Sequence, residues 1–119
     1  MAHGEFLRQH SEDPELASHA MHDYRNGNWD AKTRAMLDYS SQLTRDPQSM
    51  TKADFEGLKE KGLTEDEILA TVLITCVFAF MTRLADGLGV EPAEGRQEWV
   101  ETWLQGPARD QEWLLNPKS

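Results

Sequence analysis

The sequence is poor in the residues that usually announce chemistry. One cysteine, Cys76, is present among 119 residues, so no intramolecular disulfide can form, which fits a reducing compartment and excludes a secreted disulfide scaffold. Positive charge is scarce. Twelve Lys+Arg stand against 21 Asp+Glu, a formal net charge of -9, and such a field disfavours phosphate backbones and anionic lipid. Neither nucleic acid nor membrane is therefore an expected partner. Met1 leads straight into Ala2-His3-Gly4-Glu5 without a basic and then apolar stretch, and the expectation is a cytoplasmic protein. The longest apolar run, Ile68 to Met81, spans fourteen residues. That is shorter than the roughly 18 residues of a membrane span, so it reads as a buried core helix.

No segment alternates apolar and polar residues between turn dipeptides, whereas helical spacing and helix stop signals recur. The predicted fold class is all-α. A short helix covers Ala2 to His10. Asp13-Pro14 opens a second, from Glu15 to about Asn26, with Leu16, Ala17, Ala20, Met21 and Tyr24 on one face and Gly27 as a left-handed stop. Asp30 caps a third helix running to about Arg45, with Ala35, Met36, Tyr39 and Leu43 inward and Asp46-Pro47 as its end. Thr51 to Asp54 opens a short helix that carries Phe55 and Leu58 and closes at Gly62. Thr64-Glu-Asp-Glu67 is a capping box for the longest helix, which reaches Ala85 or Asp86 before Gly87 and Gly89.

From Ile68 to Met81 that last helix is apolar on nearly every side, and such a helix must be surrounded on every side. The other helices are too short and one-sided to cover it, so a homo-oligomer is expected. Beyond Glu91-Pro92, Trp99, Val100, Trp103 and Leu104 form a stripe at helical spacing, followed by Trp113-Leu114-Leu115. This tail packs either on the chain's own core or on a partner. The expected organisation is a helical domain over 1–91 and a Trp-rich helical tail over 92–119.

Few residues compete for a chemical role. His19 and His22, three apart on one helix, have the spacing of two metal ligands but no third ligand, and they read as exposed, as does His10. Cys76 sits inside the apolar run and reads as an inert core thiol. Glu65, Asp66 and Glu67 suit the helix N-terminus they occupy. Arg83 and Asp86 have the spacing of an ion pair. Gly87-Leu-Gly-Val90 is a helix stop and not a phosphate loop, because no strand precedes it and no lysine follows. No metal or cofactor site is expected.

Three stretches resemble a known family: Ala2-His-Gly-Glu-Phe-Leu-Arg8; Ala35-Met-Leu-Asp-Tyr39 with Leu43-Thr-Arg-Asp-Pro47; and Gly62-Leu-Thr-Glu-Asp-Glu-Ile68 leading to Phe80-Met-Thr-Arg-Leu-Ala-Asp-Gly-Leu-Gly-Val90. Together they are similar to the carboxymuconolactone decarboxylase and alkylhydroperoxidase D (AhpD) superfamily, in its peroxidase-related branch, over about residues 2 to 91. The resemblance implies an AhpD-like helical bundle around one long buried helix, assembled into oligomers. It also implies a small-molecule hydroperoxide as substrate, reduced by a C-x-x-C pair with a histidine four residues after the second cysteine and a glutamate upstream.

On that alignment His3 takes the place of the motif histidine, the only residue here with a motif-based claim to catalysis. The second cysteine would then fall ahead of Met1, and Cys76 matches neither motif cysteine. The branch also carries asparagines near positions 79 and 82, where this chain has Ala79 and Thr82. The chain therefore resembles the C-terminal part of a family member, and without the dithiol it is expected to be inactive alone. Two other readings stand beside this one: a non-enzymatic helical oligomerisation or binding module, and a non-redox enzyme of the decarboxylase type using His3 for acid–base work.

Overall fold

The computed structural model describes residues 2–13, 15–96 and 98, and of Ala2, Glu5 and His22 the backbone alone. Among the described residues there is no strand. Five α-helices follow one another among the described residues: α1 (Ala2–His10), α2 (Leu16–Asp23), α3 (Ala31–Arg45), α4 (Lys52–Glu60) and α5 (Glu65–Gly87). Short 3-10 turns at Tyr24–Asn26 and Pro47–Ser49 follow α2 and α3. The tryptophan stripe expected between Trp99 and Leu115 lies outside the described residues.

Trp29–Val90 forms one compact unit, and the residues before it belong to another. In the latter, α1 and α2 pack as a helical pair. Asp13 Oδ1 accepts the Glu15 N–H at 2.9 Å just ahead of α2, whose N-cap is Glu15 in place of Asp13. The end of α2 departs from expectation. Asp23 captures the Arg25 N–H at 3.0 Å and draws the chain into the 3-10 turn. Gly27 then takes extended backbone (φ -75, ψ 151) in place of the left-handed stop.

The Trp29–Val90 unit is built by its caps. Asp30 accepts the Thr33 N–H at 2.9 Å and the Thr33 hydroxyl at 2.7 Å, which starts α3. Asp54 accepts both the N–H and the hydroxyl of Thr51 at 2.7 Å at the head of α4. Between α4 and α5 the chain reverses through Gly62, whose φ of +89 is a conformation L side chains avoid. The Thr64 box closes as expected, with Glu67 N–H donating to Thr64 Oγ1 and Thr64 N–H donating to Glu67 Oε2.

The core of this unit is small and sits at one end of α5. Leu58, Leu63 and Ile68 are buried, with Ala35, Met36, Tyr39 and Phe55 packed around them. Farther along the α3 side, the Ser40 hydroxyl donates to Thr75 Oγ1 at 3.1 Å. Beyond that side α5 is uncovered within the single chain, as expected from helices too short to surround it. Within the single chain only Ile68 of α5 is buried. The reason is reach: α3 and α4 have 15 and 9 residues against the 23 of α5, so a rod about 35 Å long is lined along one side only.

Candidate interaction surface

The exposed side of α5 is apolar. Leu69 is 56% exposed, Leu73 54%, Ile74 59%, Val77 56%, Phe80 63% and Met81 53%, with Leu84 at 44%. At about 100° per residue, the positions from Cys76 through Leu73 and Leu84 to Ile74 sweep about 160° of the helix circumference. Along the middle of this arc Ala70, Leu73, Val77, Phe80 and Leu84 follow the alternating three- and four-residue spacing of a helix-pairing seam. That spacing is in the sequence, and it is the signal that a residue-by-residue search for chemistry passes over. The seven large side chains leave on the order of 700 Å² open, more than the largest apolar patch of a typical monomer.

Outside this arc, two threonines and the first-turn carboxylates of α5 are satisfied. The Thr71 hydroxyl donates to Glu67 O at 2.7 Å and that of Thr75 to Thr71 O at 2.8 Å. Glu67 Oε1 accepts from Lys32 Nζ at 2.6 Å. The Lys32 hydrogen bond and then the Thr64 N–H hold the Glu67 carboxyl below its ordinary pKa. Lys59 donates to Glu65 at 3.0 Å and faces Glu56 at 3.9 Å, and that pairing raises its pKa. These contacts account for most of the acidic first turn of α5.

The residues singled out for chemistry are not gathered into one site. His3 lies exposed in the first turn of α1. His10 Nδ1–H donates to Phe6 O at 2.8 Å while its ring stacks on Phe6 with centroids 4.1 Å apart. His19 Nε2 is 3.6 Å from the Glu15 carboxylate, and the His22 side chain lies outside the described residues. Among the described residues no group of three or more His, Cys, Asp or Glu is placed to hold a metal. Arg83 donates to the Ala79 carbonyl at 3.2 Å rather than to Asp86. Cys76 is exposed at the edge of the apolar face, not buried among core side chains.

By length and composition alone, α5 is also sufficient to cross a membrane. No family model matches this chain, and no curated protein does. Among solved structures, the chain is similar to an uncharacterized peroxidase-related protein from Silicibacter sp. TM1040, with a TM-score of 0.70 at 32% sequence identity. The match covers 78% of this chain and 49% of that one. The all-helical arrangement is thus a peroxidase-related fold, and the chain spans about half the length of that solved relative.

Proposed function

We propose that this chain works through polypeptide contact, as a helical scaffold of the carboxymuconolactone decarboxylase and AhpD-like type, and that it reduces no hydroperoxide by itself. The observation that carries the reading is the apolar face of α5. Roughly 700 Å² of contiguous apolar surface on a chain of net charge -9 is a docking surface for another apolar helix face, and the charge keeps the rest of the molecule in solution.

Dithiol chemistry argues in the same direction. One thiolate attacks the peroxide oxygen, releasing the alcohol and leaving a sulfenic acid. A second thiol then condenses with it, releasing water and forming the disulfide. This chain holds one cysteine, so the thiol that condenses with a sulfenic acid on Cys76 would have to come from another molecule. A reducing, cytoplasmic setting suits the exposed Cys76 thiol.

Two readouts test the proposal. With a dithiol reductant and an alkyl hydroperoxide, the chain should turn over no faster than its Cys76→Ser variant. Alkylation of Cys76 at the rim of the face should be much slower in the native protein at high concentration than in the urea-unfolded chain. Turnover abolished by Cys76→Ser, or a thiol as reactive as in the unfolded chain, overturns the reading.

A further inference from the structure

We infer that Asn26 is a site of covalent self-modification, held in check by the Asp23–Arg25 clamp. The Gly27 backbone nitrogen attacks the Asn26 carboxamide, ammonia leaves, and water opens the resulting cyclic imide to an aspartyl or isoaspartyl residue. Neither the α5 face nor its docking takes part.

The sequence singles this position out. The chain has three asparagines. Asn28 precedes Trp29, whose side chain crowds the attacking nitrogen, and Asn116 precedes Pro117, which has no N–H to lose. Asn26 alone precedes a glycine, and without a Cβ the backbone there can approach a neighbouring carbon closely. The step balances without any redox partner. Hydroxide takes the Gly27 amide proton, a bond forms between Gly27 N and Asn26 Cγ, and the Cγ–Nδ2 bond breaks to release ammonia. Water then splits the imide at either carbonyl. Opening at Cγ leaves an aspartyl residue, whereas opening at the backbone carbonyl routes the main chain through the side chain and lengthens it by a methylene.

The structure places a brake on this chemistry. Asn26 is exposed and ends the 3-10 turn Tyr24–Asn26, and the attacking group, Gly27 N–H, donates to Tyr24 O at 3.0 Å. Asp23 fastens that turn. Its Oδ1 accepts the Arg25 N–H at 3.0 Å and Arg25 Nε–H at 2.7 Å, and its Oδ2 accepts from the Arg25 guanidinium at 2.6 Å. A surface turn of this length opens locally at little free energy, so the clamp slows the attack without abolishing it. Asp86-Gly87, a pair open to the same cyclisation, lies inside α5, where a long helical ladder fixes the nitrogen. Conversion at position 26 adds a negative charge to a chain of net charge -9. The isoaspartyl product also alters the main chain between the 3-10 turn and the Asp30 cap of α3, and the altered fraction grows with the age of the molecule.

Incubation of the intact chain at mildly alkaline pH, followed by proteolysis and fragment mass spectra, tests the assignment. Position 26 should convert to a mixture of aspartyl and isoaspartyl products while Asn28 and Asn116 stay intact, faster at higher pH and faster in urea. Gly27→Ala should slow conversion about tenfold or more, because a Cβ crowds the nitrogen. Asp23→Ala should speed it roughly fivefold, the opening gained when a capping side chain is lost, and Asp23→Asn, which keeps an acceptor for the Arg25 N–H, should stay near the unaltered rate. Should Asp23→Ala convert at the urea rate because its fold is lost, Arg25→Ala decides: it removes both guanidinium hydrogen bonds and should give a smaller acceleration. Conversion of Asn28 or Asn116 ahead of Asn26, or an aspartyl product without isoaspartyl, overturns the site. Equal rates in the native and urea-unfolded chain, or an unchanged rate in Arg25→Ala and Asp23→Ala, overturns the clamp.

Discussion

Glu67 binds Lys32 Nζ at 2.6 Å through Oε1 and the Thr64 N–H at 2.8 Å through Oε2, so one carboxylate ties α3 to the first turn of α5. Glu67→Gln keeps an acceptor for the cap and loses the charge, while Glu67→Ala loses both. Thermal unfolding should fall in the order wild type, Gln, Ala, and added salt should narrow only the gap between wild type and Gln. Equal midpoints for Gln and Ala would show that the cap contributes nothing.

Stability should depend on acid in a defined direction. Hydrogen bonds from Thr33 lower the Asp30 pKa, those from Thr51 lower that of Asp54, and Lys32 followed by Thr64 lowers that of Glu67. A carboxyl depressed in the folded state contributes stability above its ordinary pKa and loses it as pH falls through the folded value. Urea midpoints should therefore hold near neutral pH and decline below the ordinary values of 4.5 for Glu67 and 3.8 for the aspartates. Asp30→Asn should remove part of that decline. Lys59 has the opposite sign: its raised pKa contributes stability below 10.5, lost as pH rises through the folded value.

The two sides of α5 should respond differently to truncation. Ile68 is 1% exposed, and Ile68→Ala should cost about 3 kcal/mol in urea unfolding at low protein concentration. Val77 is 56% exposed, and under the same conditions Val77→Ala should move the free energy by no more than about 0.5 kcal/mol. At high concentration Val77→Ala should instead weaken the expected homo-oligomer. Similar losses for both in the dilute chain would place Val77 in the chain's own core.

Two glycines should behave oppositely. Gly57 lies inside α4 with open space where a Cβ would go, so Gly57→Ala should stabilise by about 0.5–1 kcal/mol. Gly62 has equal space but a φ of +89, and Gly62→Ala should cost about 1 kcal/mol or more. Circular dichroism melts of the two variants check both signs.

What was legible in the sequence was mostly local. The caps at Asp30, Thr51 and Thr64 and the reversal at Gly62 depend on side chains within three or four residues of the backbone they bind. Gly27 failed because glycine permits a left-handed stop without requiring one, and Asp23 had already redirected the chain through Arg25. Cys76 was misplaced for a non-local reason. Its apolar neighbours in sequence imply burial, but burial depends on what reaches that side of α5, and α3 packs along the other. The shortage of cover was readable from helix lengths. The direction in which the bare face points was not.

Sedimentation equilibrium of the unaltered chain across a wide dilution series tests the central claim most directly. The mass should rise from 13.6 kDa in the most dilute samples toward multiples of that value as concentration increases, and Leu73→Glu should hold it at the single-chain mass. A mass of 13.6 kDa at every concentration would contradict self-pairing through α5.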